Sequence, residues 1–203
     1  MSHDEEARLA RLRGLGILDT APEHRFDRIT RLASELFDAP IALVSLVDAE
    51  RQWFKSRVGL DATETPRSWA FCTHAIEEGP NSVLVVENAT LDSRFSANPL
   101  VVGDPTIRFY AGATLTTVEG DNLGTLCVID QKPRPRPSEA QLNSLRELAS
   151  LAVGEMELTR KLQLADHRLA LLQLSEAMSG VGFWRFDVVA SQVTWSEQVY
   201  AIY

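Results

Sequence analysis

Cysteine is scarce: Cys72 and Cys127 are the two in 203 residues. Two thiols are no disulfide framework, which excludes a small stapled extracellular fold and points to a reducing compartment. Histidine is also sparse, at four (His3, His24, His74 and His167), so a tetrahedral Cys/His zinc site is not expected. Apolar runs such as Ile41–Val47, broken by Ser45, are far too short to span a bilayer. The opening Met-Ser-His-Asp-Glu-Glu has neither the basic nor the apolar region of an export signal, so a cytoplasmic location is expected. Basic residues are outnumbered, 20 Lys and Arg against 28 Asp and Glu, for a net charge of −8. Such a surface repels phosphate backbones and anionic lipid heads, so neither nucleic acid nor membrane is an expected partner. There is no glycine-rich phosphate loop and no His-Glu-x-x-His, and kinase and cyclase signatures are missing, so no catalysis is expected of this chain. What is present, 45% hydrophobic and 24% charged residues, is the balance of an ordinary globular protein.

Periodicity then orders the elements. Leu9, Leu12 and Leu15 mark a short helix over Glu5–Leu15. Thr20 and Glu23 suggest a capping box for a second helix, with Pro22 in its first turn. Phe26, Ile29, Leu32, Ala33, Leu36 and Phe37 form its buried face, and Pro40 ends it. Ile41–Val47 reads as a strand buried on both faces, and Gln52–Val58 as its return. In that return Phe54 and Val58 face one side, while Trp53, Lys55 and Arg57 face the other. Gly59–Arg67 reads as a polar loop and Ser68–Glu78 as a helix. Val83–Val86 reads as a short strand, and Asn88–Val102 as irregular. Ile107–Thr117 and Leu123–Asp130 read as a hairpin. Ser138 and Gln141 make a second capping box, opening a helix that runs to Met178. At 1.5 Å per residue it would be roughly 60 Å long, too long for a compact domain of this size.

The second half of that helix changes pattern. Leu158, Leu162, Ala165, Leu169 and Leu172 alternate steps of four and three, a heptad seam that points to a homodimer. Leu142–Ala152 is expected to pack on the chain's own sheet. Ser179-Gly180 stops the helix, and Gly182–Asp187 and Val193–Trp195 read as two strands. Two strands and part of a helix cannot close a core, so 179–203 reads as the start of a further domain, cut short.

This order describes an α+β domain with an antiparallel sheet and helices on one face. The order and several peptides resemble the GAF family of small-molecule sensor domains. The peptides are Gly16–Thr20, Pro40–Asp48, Arg51–Ser56, Phe71-Cys72, Arg94-Phe95, Asn98–Val101, Arg108–Gly112 and Leu123–Asp130. The resemblance implies a GAF-like sensory domain over 5–157, a coiled signalling helix over 158–178 and the beginning of a PAS-like domain over 179–203. The tail Gly180-Val-Gly-Phe-Trp-Arg-Phe-Asp187 carries the last part of it. The matching subgroup is similar to the sensory regions of bacterial histidine kinases and diguanylate cyclases. The implied function is therefore a cytoplasmic input module, first of a histidine kinase and next of a cyclase, with the output lying beyond Tyr203.

Within that frame the candidate ligand-binding residues are Trp53, Arg67, Phe71, Cys72, His74, Phe109 and Tyr110, for an unidentified small molecule. Aromatic walls with a few convergent polar groups are what such a site requires. Asp92 and Arg94 are read first as anchors of an irregular loop. No cofactor is implied: bilin-binding GAF domains attach chromophore through a Cys followed by His, and here Thr73 follows Cys72. Cys72 and His74, two apart on a helix, point about 200° apart and share no face. Two rival functions stay open, a ligand-free dimerisation module and a thiol reductase acting on a small sulfoxide through Cys72 and Cys127. The second needs the two thiols exposed and close, whereas the position of Cys127 in mid-strand suggests core.

Overall fold

The computed structural model describes residues 3–179, 184–187, 192–195 and 199–200. The chain divides into two compact units, Met1–Leu158 and Thr159–Tyr203. In the first, helices α1 (His3–Gly14) and α2 (His24–Phe37) precede strands β1 (Ile41–Val47), β2 (Arg51–Val58) and β3 (Glu64–Pro66). A single 3-10 turn (Arg67–Trp69) leads into α3 (Phe71–Glu77), then β4 (Val83–Val86) and α4 (Pro99–Val102). Strands β5 (Phe109–Thr116) and β6 (Asn122–Asp130) form the hairpin, and α5 (Glu139–Ser179) closes the series. The six strands make one antiparallel sheet in the order β3-β2-β1-β6-β5-β4.

The sheet's centre explains its sequence. β1 and β6 are buried at every position, because side chains on both faces meet a packed layer. On one face Val44, Leu46, Ala111 and Leu126 pack with Leu12 of α1, Phe26 of α2 and Leu145 of α5. On the other, Leu43, Tyr110 and Cys127 pack with Phe71 and Cys72 of α3, Val101 of α4 and Phe95 of the segment before α4. The expected layer of helices on one face thus holds for the long helices, while short α3 and α4 cover the opposite face. That second layer is thin and interrupted, which leaves room for a cavity.

Four local readings are revised. Leu32 and Leu36, expected on the buried face of α2, are exposed, and Thr30 is buried on that face instead. Glu64–Pro66 is a strand rather than loop, pairing Thr65 with Gln52 at the sheet edge, where a proline is tolerated. Thr20 and Glu23 form no capping box, and α2 starts on Glu23 without a side-chain cap. Their oxygens are claimed instead by the buried ammonium of Lys55, which donates to Thr20 Oγ1 at 2.7 Å and the Ala21 carbonyl at 2.8 Å, and pairs with Glu23 at 2.6 Å. At its other end α2 stops on Asp38, in the left-handed conformation at φ 47, before Pro40 is reached. The second capping box does form: Gln141 N–H donates to Ser138 Oγ at 3.3 Å, and Ser138 N–H to Gln141 Oε1 at 3.1 Å.

The N-terminal helix is tied down by charge. Arg8, buried, donates to the Val47 carbonyl at 2.7 Å and twice to Glu5, at 2.8 Å each. Arg67 reaches the same carboxylate at 2.6 Å. Hydrogen bonding from Arg8, and then from Arg67, outweighs burial and lowers the Glu5 carboxyl from 4.5 to about 2. A depressed acid stabilises the fold above its unfolded pKa and loses that contribution as pH falls. Acidification from 4.5 towards 2 is therefore expected to cost about 1–3 kcal/mol through Glu5 alone. Thermal melts of the native chain and of Glu5→Gln should converge in that window and diverge above it.

Helix α5 is one unbroken element of 41 residues. Leu142, Leu145, Ala149, Ala152 and Met156 are buried in the sheet core, as expected of this half. From Leu158 onward the leucines are exposed: Leu158, Leu162, Leu169 and Leu172 are each at least half exposed, as are Leu164, Leu171 and Leu174. In the second unit β7 (Trp184–Asp187) pairs antiparallel with β8 (Gln192–Trp195), Trp184 opposite Trp195. The expected helix stop at Gly180 and the first residues of the tail motif lie outside the described residues. No helix among the described residues is long and apolar enough to cross a membrane.

Candidate functional site

Between the sheet and the α3–α4 layer lies a cavity of about 290 Å³. Its floor is the sheet: Leu43 of β1, Gln52 and Phe54 of β2, Tyr110 of β5 and Ile129 of β6. Its roof is Trp69, Phe71, Leu100 and Pro105. The charged groups of its wall are Glu64 and Asp104, both exposed.

Strand alternation decides which expected residues reach it. Phe71, Cys72 and Tyr110 line the cavity. Phe109 and Trp53 do not: they sit in the core under the long helices. Neighbours along a strand point to opposite faces, so Phe109 and Tyr110 could not both line one cavity. The same alternation puts Gln52 and Phe54 where Trp53 was expected. Arg67 belongs to the clip on α1, bonding Glu5 and the carbonyls of Asp48 and Ala49. His74, two residues past Cys72, sets its ring edge-on against Phe95, 4.9 Å between centroids. Asp92 and Arg94 are loop anchors, paired at 2.7 Å, with the Arg94 N–H also donating to Asp92.

A polar cluster lies at one wall. Cys72 Sγ is 2.9 Å from Thr125 Oγ1, 3.4 Å from the Tyr110 hydroxyl and 3.5 Å from Ser45 Oγ. Cys127 of β6 lines the same cavity. The two thiols, far apart in sequence, thus share one cavity lining, but both are buried. Burial penalises a thiolate on Cys72, yet hydrogen bonds from Cys127, Thr125, Tyr110 and Ser45 outweigh it and lower the thiol to about 6. Cys127 is pushed up by its bond to Cys72 and by burial, and Tyr110 by burial and by the nearby Cys72 charge.

Gly112 makes the cluster possible. A Cβ there would lie 2.1 Å from the Tyr110 hydroxyl, so Tyr110 can lie over β5 only because position 112 has no side chain. Gly112→Ala is expected to displace that hydroxyl, destabilise the chain by about 1–3 kcal/mol and move the Cys72 titration upward. Urea midpoints and thiolate absorbance against pH measure the two effects; an unmoved titration contradicts the assigned role of Tyr110.

Comparison with known proteins places this arrangement. A family model described as GAF domain matches residues 21–156. A cyclic di-GMP phosphodiesterase of Pseudomonas aeruginosa is 42% identical over 179 residues, 87% of this chain. The chain spans 30% of that relative's length. Among solved structures, the GAF domain of an Acinetobacter phosphoenolpyruvate-protein phosphotransferase superposes with a TM-score of 0.56 at 18% identity, covering 79% of this chain and 97% of that one. A type II free methionine-R-sulfoxide reductase from Thermoplasma acidophilum gives 0.52 at 12% identity, covering 67% and 94%. At these identities the two structures speak for the fold alone. Family match, relative and fold agree: this chain belongs to the GAF domain family.

Proposed function

We propose that this chain is a cytoplasmic sensory input module of a signalling protein, in which a small molecule held between sheet and α3–α4 layer biases a dimeric helix. The observation that carries the reading is the cavity itself, apolar-walled, set in a thin layer over the sheet. A ligand shifts such a module by binding one conformation better than another. The helix that would transmit the shift is α5, whose seam Leu158, Leu162, Ala165, Leu169 and Leu172 would join two copies. The tail beyond it, with its Trp184–Trp195 strand pair, is read as the opening of a PAS-like domain.

For the output, two readings stand. A histidine kinase follows from the resemblance of the sensory region. A cyclic di-GMP output is favoured by the 42% identical phosphodiesterase, and we adopt it. The test of the input reading is binding of benzofuran, a neutral probe of the cavity's apolar walls. Saturation-transfer NMR is expected to detect it on the native chain and to lose it on Leu100→Trp, which fills the cavity roof. Absence of binding to the native chain overturns the reading.

A thiol-reductase function has one observation behind it, the presence of both Cys72 and Cys127 in the cavity lining. Reaction of the native chain with a small methanethiosulfonate tests it. If neither cysteine reacts before unfolding, no thiol is available to attack a sulfoxide.

A further inference from the structure

Two leucines of α2 stand in solvent. Leu32 is 51% exposed and Leu36 40%. On α2 the residues Arg25, Ile29, Leu32 and Leu36, spaced four, three and four, share one side. On α5 the residues Leu148, Leu151 and Glu155, spaced three and four, do the same. Arg25 and Glu155 pair at 3.5 Å, so these two sides face one another. At the other end of α2, Arg134, shortly before α5, donates to the Phe37 and Asp38 carbonyls at 2.6 Å each. The two helices therefore run antiparallel. Leu32 and Leu36 thus stand beside Leu148, half-buried, and Leu151, 60% exposed. The four make one apolar patch on the helical layer, across the sheet from the cavity.

We propose that this α2–α5 face is covered by the same face of a second copy, so that the sensory unit itself builds part of the homodimer. This rests on the reading of α5 as a dimeric helix. Two observations select a second copy as the occupant. The first is continuity. Leu148, Leu151, Glu155 and Leu158 carry the alternating three-four spacing of Leu162, Ala165, Leu169 and Leu172 back along one unbroken helix, so the seam's stripe runs into the patch. Glu155 is the exception in that stripe, and Arg25 of the same chain compensates its charge. The second is charge at the margins. Arg28 lies on the outer edge of α2 and Glu147 on that of α5, both exposed and neither paired among the described residues. Farther out on α2, exposed Arg31 and Glu35 balance each other. A two-fold axis along α5 sets the α2 margin of each copy against the α5 margin of the other, so basic edge meets acidic edge. The arrangement also shortens the path from ligand to partner. Val44 and Trp53 pack in the core with Ile29 of α2, and their strand neighbours Leu43 and Phe54 floor the cavity. One sheet then separates the ligand from a helix that touches the other copy.

The test is the double substitution Leu32→Gln with Leu36→Gln in the whole chain, read by sedimentation equilibrium. It leaves every seam leucine of α5 in place. The dimer constant is expected to weaken about tenfold or more, since each copy withdraws two leucines from the interface. Leu91→Gln with Val102→Gln, at exposed apolar positions outside both helices, is the control and should leave the constant unmoved. A constant within about twofold of the native value for the α2 pair, or a control that weakens it as much, overturns the inference and leaves the dimer to the seam alone. A native chain that is monomeric throughout overturns the dimeric helix as well. Should the α2 pair not fold, a dimer mixed from isotope-labelled and unlabelled native copies decides. The Leu32 and Leu36 methyls must then show filtered nuclear Overhauser contacts to the other copy, and their absence overturns the inference.

Discussion

Glutamate in place of both Leu162 and Leu169 is expected to leave the chain monomeric at concentrations where the proposed dimer of the native chain forms. Both leucines are more than half exposed, and both occupy the alternating four-three spacing of a two-helix seam. Each leucine buried in such a seam stabilises it by about 1.5–3 kcal/mol, and a dimer contains four of them. Glutamates facing each other across a dry seam add repulsion to that loss. The control is a pair equally exposed but off the spacing, Leu164 and Leu171. Glutamate at these two positions should leave the dimer intact. Sedimentation equilibrium reads both variants. A dimer that survives the seam pair and falls to the off-seam pair would assign the interface to the other stripe.

Lys55→Ala is expected to destabilise the chain by about 3 kcal/mol, the scale of breaking a buried charged contact. The Lys55 side chain is fully buried, and three oxygens surround its ammonium: Thr20 Oγ1, the Ala21 carbonyl and Glu23 Oε1. It also lies 5.2 Å from the centre of the Phe26 ring. Removing it frees the segment that enters α2 and leaves a void beside Phe26. Glu23 is one-third exposed and keeps Arg25 as a partner, which limits the penalty on the carboxylate. Lys55→Met fills the void and should cost less. The midpoint of urea unfolding measures both, with an unchanged slope showing that stability alone has moved. A loss under about 1 kcal/mol for Lys55→Ala would mean that solvent replaces the ammonium at little cost.

The fold was largely legible from residue spacing. Ile41–Val47 announces a doubly buried strand by its unbroken apolar content, and the helix after Ser138 by a reciprocal cap that the structure reproduces. The site was legible only in part, for identifiable reasons. Aromatic content suggested both Phe109 and Tyr110, but the pleat allows just one of them to reach the cavity. The same pleat, applied to β2, would have exchanged Trp53 for Gln52 and Phe54. Arg67 carries the charge of a ligand anchor, yet Glu5 claims it across 62 residues, a pairing no local pattern announces. Trp69, Leu100 and Pro105 reach the roof from irregular segments, whose positions depend on tertiary contacts rather than on periodicity. Lys55 and Thr20 show the same competition at short range: a capping box is written in the sequence, and a buried ammonium takes its oxygens.

Coupling between cavity and seam is measured most directly by the monomer–dimer constant of the native chain, with and without saturating benzofuran, by sedimentation equilibrium. A ligand that biases the dimeric helix must shift that constant, and dimerisation must shift the ligand's affinity by the same factor. A shift of about threefold or more is predicted. A chain that stays monomeric to its solubility limit, or a dimer whose constant benzofuran leaves untouched, contradicts the sensory reading.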